Sequence, residues 1–600
     1  MTDQAMLKVL LITLSTTLIM LSGCSTQPRQ TGSDLEFVQE GPLSVIQQHL
    51  AMDSLIDADK AIQEIDVLSL SADDQIRFYW LKARLAIALG RGDEAITALN
   101  AVDPGAFEKI PEIPQHESGF LRAQALYLKG SFIASARERM FLSGVLSGDN
   151  YVQNHQGIWA SLLQAETTEL ETLSEKTQTS LFKGWLALAL VVKKNQMDLD
   201  RQLSNLRIWQ AQFSSHPAAK ELPGELDQLE DVVDNKADFI ALMLPLDGKL
   251  ARTGQAIRDG FFAAYYEAVN AGASVPRVKV YDTSTGDFWT LYKQAILDGN
   301  ELVIGPLTKT SVERLQQESR LPVPTLALNY GQRDFTENPA QLYQFGLAVE
   351  DEAELSAQFA RQKGFQSAVA LVPEGSWGER VFYRFSQSWQ AQGGALVEAQ
   401  FFKGTGDYNK VIRQLLSIDD SERRAADIRR QLRTRLEFQP RRRQDVDFIF
   451  VAALPQQARQ IKPTLAFNFA QDLPMIATSQ VYSGSPSRSK DSDLNGVMFC
   501  DIPWILDNPP LRQTVKQLWS QAQGSLDRLY AMGADAFTLY PRLEQIKILR
   551  HSRIPGHTGR LAMDDYGQIV RQLSFAQFKN GIVQKTQGVV GHVEQQRGLQ

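Results

Sequence analysis

The sequence predicts a multidomain protein, in which an all-α helical-repeat domain is followed by an α/β domain of two lobes. Three observations lead to this fold class. The chain has 600 residues, which is too long for one hydrophobic core. Residues 42–220 carry apolar side chains at helical spacing and no clear strand. Beyond residue 238, short apolar runs alternate with amphipathic segments, which is the pattern of parallel sheets covered by helices.

The composition excludes several classes of protein. Hydrophobic residues make up 43% of the chain and charged residues 22%, as in an ordinary globular protein. The net charge of −7 gives no bulk attraction for nucleic acid. Two cysteines exclude a disulfide-stapled scaffold and four-cysteine zinc sites, and the seven histidines never reach a ligand spacing. We therefore expect no metal, no cofactor and no nucleic-acid partner.

The first residues predict a lipoprotein signal. An apolar run of about 13 residues, too short to span a membrane, follows Lys8 and ends at Leu21-Ser22-Gly23-Cys24. This ending resembles the bacterial lipobox. The resemblance implies that the signal peptide, residues 1–23, is removed and that Cys24 is acylated. Ser25 in the next position implies sorting to the outer membrane, on its periplasmic side, and residues 24–36 form the lipidated cysteine and tether.

The helical domain is predicted over residues 37–225. Three stretches share an aromatic residue, a leucine and small alanines at helical spacing, which lets neighbouring helices approach closely; they begin at Trp80, Phe120 and Trp185. The first continues through Gly90 to Pro104 and resembles a tetratricopeptide repeat, although a non-repeating helical bundle remains open. The acidic segment 226–237 is predicted as a linker or terminal helix, and the domain as a spacer or surface.

The α/β domain is predicted over residues 238–600. Its strand candidates are Phe239–Leu244, Val278–Tyr281, Leu302–Ile304, Thr325–Leu328, Ala368–Val372, Phe448–Ala452 and Met475–Thr478. Glycines after three of these strands, Gly248, Gly305 and Gly378, allow tight turns beside helix N-termini. With the surrounding motifs they resemble type I periplasmic solute-binding proteins. The resemblance implies lobe 1 at about 238–346 and 504–556, and lobe 2 at about 347–503 and 557–590.

Six polar residues after predicted strands are candidates for a ligand cleft between the lobes. They are Asp247, Thr253, Thr310, Ser311, Asn329 and Ser376. The alternative is that these side chains only cap helices and turns.

The order of lipobox, helical repeats and two-lobed domain resembles the LpoA family of outer-membrane lipoproteins, which activate class A penicillin-binding proteins. The segments around Gln457, Gly533 and Gly559 add to this resemblance, which covers nearly the whole mature chain. It implies a non-enzymatic regulator that stimulates the transpeptidase of a class A penicillin-binding protein, with peptidoglycan as a further partner. The alternative function is a lipid-anchored solute-binding receptor for an amino acid or cell-wall fragment.

One segment is strongly basic. Residues 421–443, called here the basic arm, hold nine arginines against three acidic residues, so the rest of the mature chain has a net charge of about −13. Its candidate partner-binding residues are Arg429, Arg430, Arg433, Arg441, Arg442 and Arg443. The alternative is a solvated insertion that offsets the acidic body of the protein.

A catalytic function has little support. The sequence has no G-x-S-x-G, no P-loop and no zinc-binding His-Glu helix. Ser487 and Lys490 form a lone S-x-x-K without the S-D-N or K-T-G of penicillin-binding enzymes. Cys500 lies in an apolar run, which favours a buried core cysteine over a nucleophile.

Overall fold

The computed structural model describes residues 41–586, apart from 53, 195–197, 333–337, 405–407, 433–436 and 549–552. The predicted signal, Cys24, the tether and Arg433 lie outside the described residues. Within them, no helix has both the length and the apolar character needed to cross a bilayer.

The helical domain is built from thirteen α-helices in the described part of the chain. They are α1 Pro42–Ala51, α2 Leu55–Gln63, α3 Ala72–Ala88, α4 Gly92–Leu99, α5 Glu117–Leu128, α6 Phe132–Leu142, α7 Gly148–Gln164, α8 Thr167–Lys176, α9 Ser180–Lys194, α10 Leu199–Gln212, α11 Pro217–Lys220, α12 Gly224–Asp227 and α13 Leu229–Asp234. Successive helices pack on one another from α3 to α7 and again from α8 to α10, and α9 also packs on α7. The predicted helical character of this region is confirmed.

Two hydrophobic cores hold this helical stack together. One contains Trp80 and the other Trp185, and both indole rings are buried. Ala83, Ala125 and Ala189 are also fully buried, because a methyl side chain leaves room for the backbone of the next helix. The aromatic and alanine pattern of the sequence is therefore a packing pattern.

The segment 226–237 is a terminal helix rather than a free linker. Leu226, Leu229 and Val232 are buried in the core around Trp185. Their spacing of three residues places them on one face of a helix, and α13 packs against α10.

The α/β domain contains two sheets. The strands are β1 Phe239–Leu244, β2 Arg277–Asp282, β3 Leu302–Ile304, β4 Arg320–Ala327, β5 Ala340–Phe345, β6 Ser367–Pro373, β7 Ala395–Phe402, β8 Phe448–Val451, β9 Met475–Ala477, β10 Met498–Asp501, β11 Ile554–Pro555, β12 Arg560–Met563, β13 Gln568–Gln572, β14 Ser574–Lys579 and β15 Ile582–Lys585. The lobe 1 sheet has the order β11-β12-β13-β5-β4-β3-β1-β2, and the lobe 2 sheet has the order β15-β14-β10-β9-β8-β6-β7.

Helices lie between these strands along the chain. They are α14 Ala251–Asn270, α15 Phe288–Leu297, α16 Lys309–Gln316, α17 Val349–Gln362, α18 Ser376–Ala391, α19 Tyr408–Leu415, α20 Ile418–Leu432, α21 Pro455–Phe467, α22 Arg488–Asp491, α23 Pro503–Leu506, α24 Pro510–Leu518, α25 Ser525–Leu539 and α26 Leu543–Ile548. The central strand pairs of both sheets are parallel, as the alternation of strands and helices predicts.

The predicted boundary between the lobes near residue 557 is wrong. Strands β12 and β13 belong to the lobe 1 sheet, where Gln568 pairs with Gln344 of β5 and Ile569 with Phe345. Pairing with β13 satisfies the edge of β5, whose backbone groups would otherwise stay open. In the described part of the chain the last entry into lobe 2 is therefore at Leu573, and of the strands β11 to β15 only β14 and β15 join the second sheet.

Candidate functional site

Within the described residues the chain crosses between the lobes three times, and charged side chains beside the three crossings form one buried group. The crossings follow β5, β10 and β13. Glu352 lies just after the first crossing, Asp501 at the second and Arg571 at the third, and all three are buried. Together with Arg528 and Ser479 they are called here the hinge cluster.

Arg528 joins the two lobes directly. It lies on α25, which packs against α14 of lobe 1, yet its guanidinium binds Asp501 at the end of the lobe 2 strand β10. The distances are 2.5 Å from Nη2 to Oδ2 and 3.0 Å from Nε to Oδ1, a two-pronged ion pair. Nη2 also donates to the carbonyl of Ser479, at 3.1 Å. Removing one partner of such a buried pair typically costs about 3–5 kcal/mol.

Glu352 is held by the same part of lobe 2. Its carboxylate accepts hydrogen bonds from the backbone N–H of Ser479 at 2.8 Å and from the Ser479 hydroxyl at 2.9 Å. Burial raises the pKa of Glu352 to about 7, while the charge of Arg571 opposes the rise and that of Asp501 adds to it. The hinge cluster therefore contains a carboxyl group that titrates near neutral pH.

A second buried ion pair reinforces the connection. Arg512 binds Asp527 with 2.6 Å between Nη2 and Oδ2, and it donates to the Gly484 carbonyl in a lobe 2 loop, also at 2.6 Å. Trp504 donates its indole N–H to Asp527 at 2.6 Å. The side chains of Arg512 and Asp527 are almost completely excluded from solvent. Arg512, Asp527 and Trp504 all lie in lobe 1, so the hydrogen bond to Gly484 is the contact in this group that movement of the lobes would have to break.

The helical domain contacts both lobes. On the lobe 1 side, Arg542 donates to Gln202 at 3.0 Å, and Arg560 donates to the Leu163 carbonyl at 2.9 Å. On the lobe 2 side, Ile56 packs so closely on Gly393 that a β-carbon there would lie 1.7 Å from its Cδ1 atom. The helical domain thus spans the two lobes and supports one angle between them.

The cleft candidates lie after the strand ends, but the side chains of several form hydrogen bonds within their own loops. Asp247 Oδ1 accepts from the N–H of Gly248 at 2.7 Å. Asn329 donates to the Leu307 carbonyl and accepts from the Tyr330 N–H, both at 2.9 Å. Ser311 accepts from the Thr308 hydroxyl at 2.8 Å. These contacts favour capping and turn formation.

The remaining cleft candidates lie in the first turns of helices. Thr253 lies in the first turn of α14, Thr310 is exposed in the first turn of α16, and Ser376 is the first residue of α18. The five lobe 1 residues follow the neighbouring strands β1, β3 and β4, whereas Ser376 follows β6 in the other sheet. A ligand role for the six residues stays a prediction.

The basic arm is only partly free for a partner. Arg442 pairs with Asp472 at 2.6 Å, Arg443 pairs with Asp445 at 2.8 Å, and Arg430 pairs with Asp427 at 2.5 Å. Arg429 lies over the Phe438 ring, 5.8 Å from its centre. The positive charge of this segment is therefore used in part to hold its own conformation.

Functional candidates of two kinds were not predicted from the sequence. Arg528 and Glu352 left no sequence signal, because their partners are remote along the chain. Arg424 was counted in the basic arm but was not a candidate, although Ser421 and Arg424 are three residues apart on α20 and so share a helical face. The spacing shows that the two side chains are neighbours, but only the structure shows that they line one cavity with Ser417 and Arg441.

Comparisons with known proteins agree along nearly the whole chain. The model of the LppC lipoprotein family matches residues 43–581. The penicillin-binding protein activator LpoA of Photobacterium profundum is 27% identical over 590 residues, covering 93% of this chain and 94% of the relative. LpoA of Vibrio cholerae serotype O1 is 28% identical over 591 residues, covering 93% and 96%. The structure of full-length LpoA from Haemophilus influenzae is 22% identical, with a TM-score of 0.47, covering 91% and 94%.

Proposed function

Because the chain belongs to the LppC lipoprotein family, whose model matches residues 43–581, we propose that it activates a penicillin-binding protein. Its relatives along 93% of the chain carry the name penicillin-binding protein activator LpoA. We assign the partner to class A, with the transpeptidase as the stimulated activity. The protein acts without catalytic residues of its own.

The hinge cluster is the structural observation that carries the proposal. A solute receptor of the two-lobed type works by closing its lobes around a ligand, which requires a hinge that bends. Here the buried ion pair of Arg528 with Asp501, the hydrogen bond from Arg512 to the Gly484 carbonyl and the contacts of the helical domain oppose such bending. A fixed surface suits a protein whose ligand is another protein.

Activation follows from differential binding. An activator that binds the active conformation of the synthase more tightly than the resting one shifts the equilibrium toward the active form. The shift equals the difference between the two affinities, so no chemical step by the activator is needed.

A lipid anchor at the outer membrane would hold the partner-binding surface in the periplasm. We propose that Cys24, acylated after removal of residues 1–23, holds the protein to the outer membrane. The tether of residues 24–36 would add about 40 Å when extended at about 3.3 Å per residue. The helical domain then acts as a spacer between the tether and the two-lobed domain, and contact with peptidoglycan on the way to the synthase is part of this proposal.

The test is reconstitution with a purified class A penicillin-binding protein. The chain from Ser25 onward should retain the synthase in a pull-down and increase the fraction of cross-linked peptides made from lipid-linked precursor. An inactive synthase, lacking its transpeptidase nucleophile, is the control for the cross-linking signal. Failure to bind, or binding without any gain in cross-linking, would contradict the proposal.

The solute-receptor alternative can be tested with the same sample. A library of amino acids and peptidoglycan fragments should leave the thermal midpoint unchanged. A concentration-dependent rise that is lost on changing Asn329 and Ser376 to alanine would favour the receptor instead.

A further inference from the structure

A cavity of about 600 Å³ lies where the basic arm returns to the body of lobe 2. One wall is the start of α20, with Ser417, Ser421 and Arg424, and the other is the segment that carries Phe438 and Arg441. Two backbone contacts close the walls: the N–H of Arg441 donates to the Ser421 hydroxyl at 3.2 Å, and the N–H of Arg443 donates to the Leu416 carbonyl at 3.0 Å. The size is that of a site for a drug-sized ligand or a few peptide residues.

Two guanidinium groups at this cavity are available for a ligand. Arg442 and Arg443 also line it, but they are engaged by Asp472 and Asp445. Arg424 and Arg441, both exposed, form no ion pair with any residue that the structure describes. One further carboxylate, that of Glu437, lines the cavity, so the charge available to a ligand is positive.

One exposed phenyl ring lines the cavity, and two more lie on a neighbouring segment. Phe438 lines it and is 37% exposed. Phe467 and Phe469, with 76% and 45% of their area exposed, lie at the end of α21 and just beyond it. Arg442 links the two regions, because its Nε donates to the Phe469 carbonyl at 3.0 Å. Arginine and aromatic side chains together are the composition of protein-binding hot spots.

We propose that this cavity docks an acidic peptide segment of the protein partner. Two carboxylates of the segment bind Arg424 and Arg441, and an apolar side chain between them packs on Phe467 and Phe469. Charge complementarity supports a peptide of this kind, because guanidinium forks match carboxylates and the basic arm is isolated in an otherwise acidic protein. Aromatic side chains together with arginine are typical of protein interfaces, and this composition favours a peptide over an anionic glycan. The inference rests on the proposed function only for the identity of the protein that carries the acidic segment.

Peptide binding tests the inference directly. A fluorescein-labelled peptide, Asp-Glu-Phe-Asp-Glu-Leu-Asp-Glu, should bind the chain from Ser25 onward and raise its anisotropy at low salt. The double variant R424E/R441E should bind at least ten times more weakly, with an unchanged urea midpoint because neither side chain holds an ion pair. The matched control is R320E/R488E, which makes the same change in net charge at two exposed arginines outside the cavity and should stay within twofold of wild type. No binding by the wild type, or equal loss in both variants, would overturn the inference.

A second comparison separates a peptide from a glycan. The variant F467S/F469S should weaken the peptide at least threefold and leave the weak binding of polygalacturonate unchanged. Tighter binding of polygalacturonate than of the peptide, lost in R424E/R441E, would overturn the peptide assignment in favour of an anionic glycan.

Pull-down of the class A synthase distinguishes this inference from the proposed function. Capture by the wild type and by R320E/R488E, but not by R424E/R441E, supports both. Equal capture by all three overturns the cavity as the docking site and leaves activation standing. If the wild type captures no synthase, the proposed function fails, and the peptide measurement alone decides whether the cavity takes an acidic segment.

Discussion

At the scale of single residues, Glu352 is the group in the hinge cluster whose pKa is raised to near neutral pH. Its carboxylate faces Ser479, which donates two hydrogen bonds, and lies in the field of two cations, Arg528 and Arg571, and of the anion Asp501. Burial outweighs the cations, so the pKa of Glu352 rises to about 7. The folded protein therefore keeps a proton on Glu352 that the unfolded chain, with a pKa near 4.5, has already released.

The extra proton on Glu352 in the folded state leads to a prediction of how the free energy of unfolding depends on pH. Between about pH 4.5 and 7 Glu352 binds more protons in the folded state than in the unfolded state, so its contribution to the free energy of unfolding falls as the pH rises. In Glu352→Gln the amide keeps an acceptor for the Ser479 N–H and has no proton to lose. We expect the free energy of unfolding of the variant, relative to wild type, to rise by up to about 3 kcal/mol between pH 5 and pH 7.5, at about 1.4 kcal/mol per unit of pKa. Urea unfolding at both values measures it, and equal pH dependence in the two proteins would contradict the assignment.

Single residues also show which features of the structure could be predicted from the sequence. The burial of Cys500 was predictable from the apolar residues around it, and the structure confirms it. The partnership of Arg528 with Asp501 was not, because buried ion pairs between distant parts of a chain leave no local periodicity. The basic arm lies between these cases: its charge was evident, but only the fold shows that Arg442 and Arg443 are paired while Arg424 and Arg441 face the cavity.

At the scale of secondary structure elements, the helices α14 and α25 cross at two glycines. A β-carbon on Gly260 would lie 2.1 Å from the Tyr530 carbonyl oxygen, and one on Gly533 would lie 2.0 Å from that of Ile257. Such backbone contact is possible only without side chains at these positions. Since Arg528 lies on the same helix as Gly533, this crossing also sets the depth to which Arg528 reaches into lobe 2.

A methyl group at this crossing should force the helices apart. We expect Gly533→Ala to lower the free energy of unfolding by about 1–3 kcal/mol or more, because overpacking a core usually costs that amount. The control is Gly105→Ala, where a β-carbon meets open space and the backbone has an ordinary φ; it should change stability by less than about 0.5 kcal/mol. Denaturant titration compares the two, and similar costs would show that the crossing tolerates a side chain.

The success of strand prediction depended on burial. Strands β1, β3 and β8 are buried along nearly their whole length and read as continuous apolar runs, so they were predicted. Strand β7 is half-buried at a sheet edge, and β5 and β13 carry glutamines among their apolar residues, so none of the three was predicted. The lobe boundary near residue 557 was misplaced for the same reason. The sequence of a short strand with mixed polar and apolar residues, such as β13, does not show which sheet the strand joins.

At the scale of the whole molecule, the hinge contacts and the helical domain both restrict the angle between the lobes. The Arg528–Asp501 ion pair and the hydrogen bond from Arg512 to Gly484 join the lobes directly, and Ile56 and Arg542 connect the helical domain to lobe 2 and lobe 1. Direct contacts and a third domain that contacts both lobes restrict rotation more than either alone. The two-lobed domain is thus a fixed platform on which a partner-binding surface keeps its shape.

Distance measurements between the lobes test this rigidity. In the chain from Ser25 onward the single native cysteine, Cys500, is buried, so nitroxide labels can be placed on Leu297→Cys in lobe 1 and Tyr383→Cys in lobe 2, both highly exposed. We expect one narrow distance by pulsed electron spin resonance, unchanged by amino acids or peptidoglycan fragments. Arg528→Met in the same labelled chain should broaden the distribution, because it leaves Asp501 without its cation. A shift of more than about 2 Å on adding a ligand to the otherwise wild-type chain would instead indicate a closing cleft.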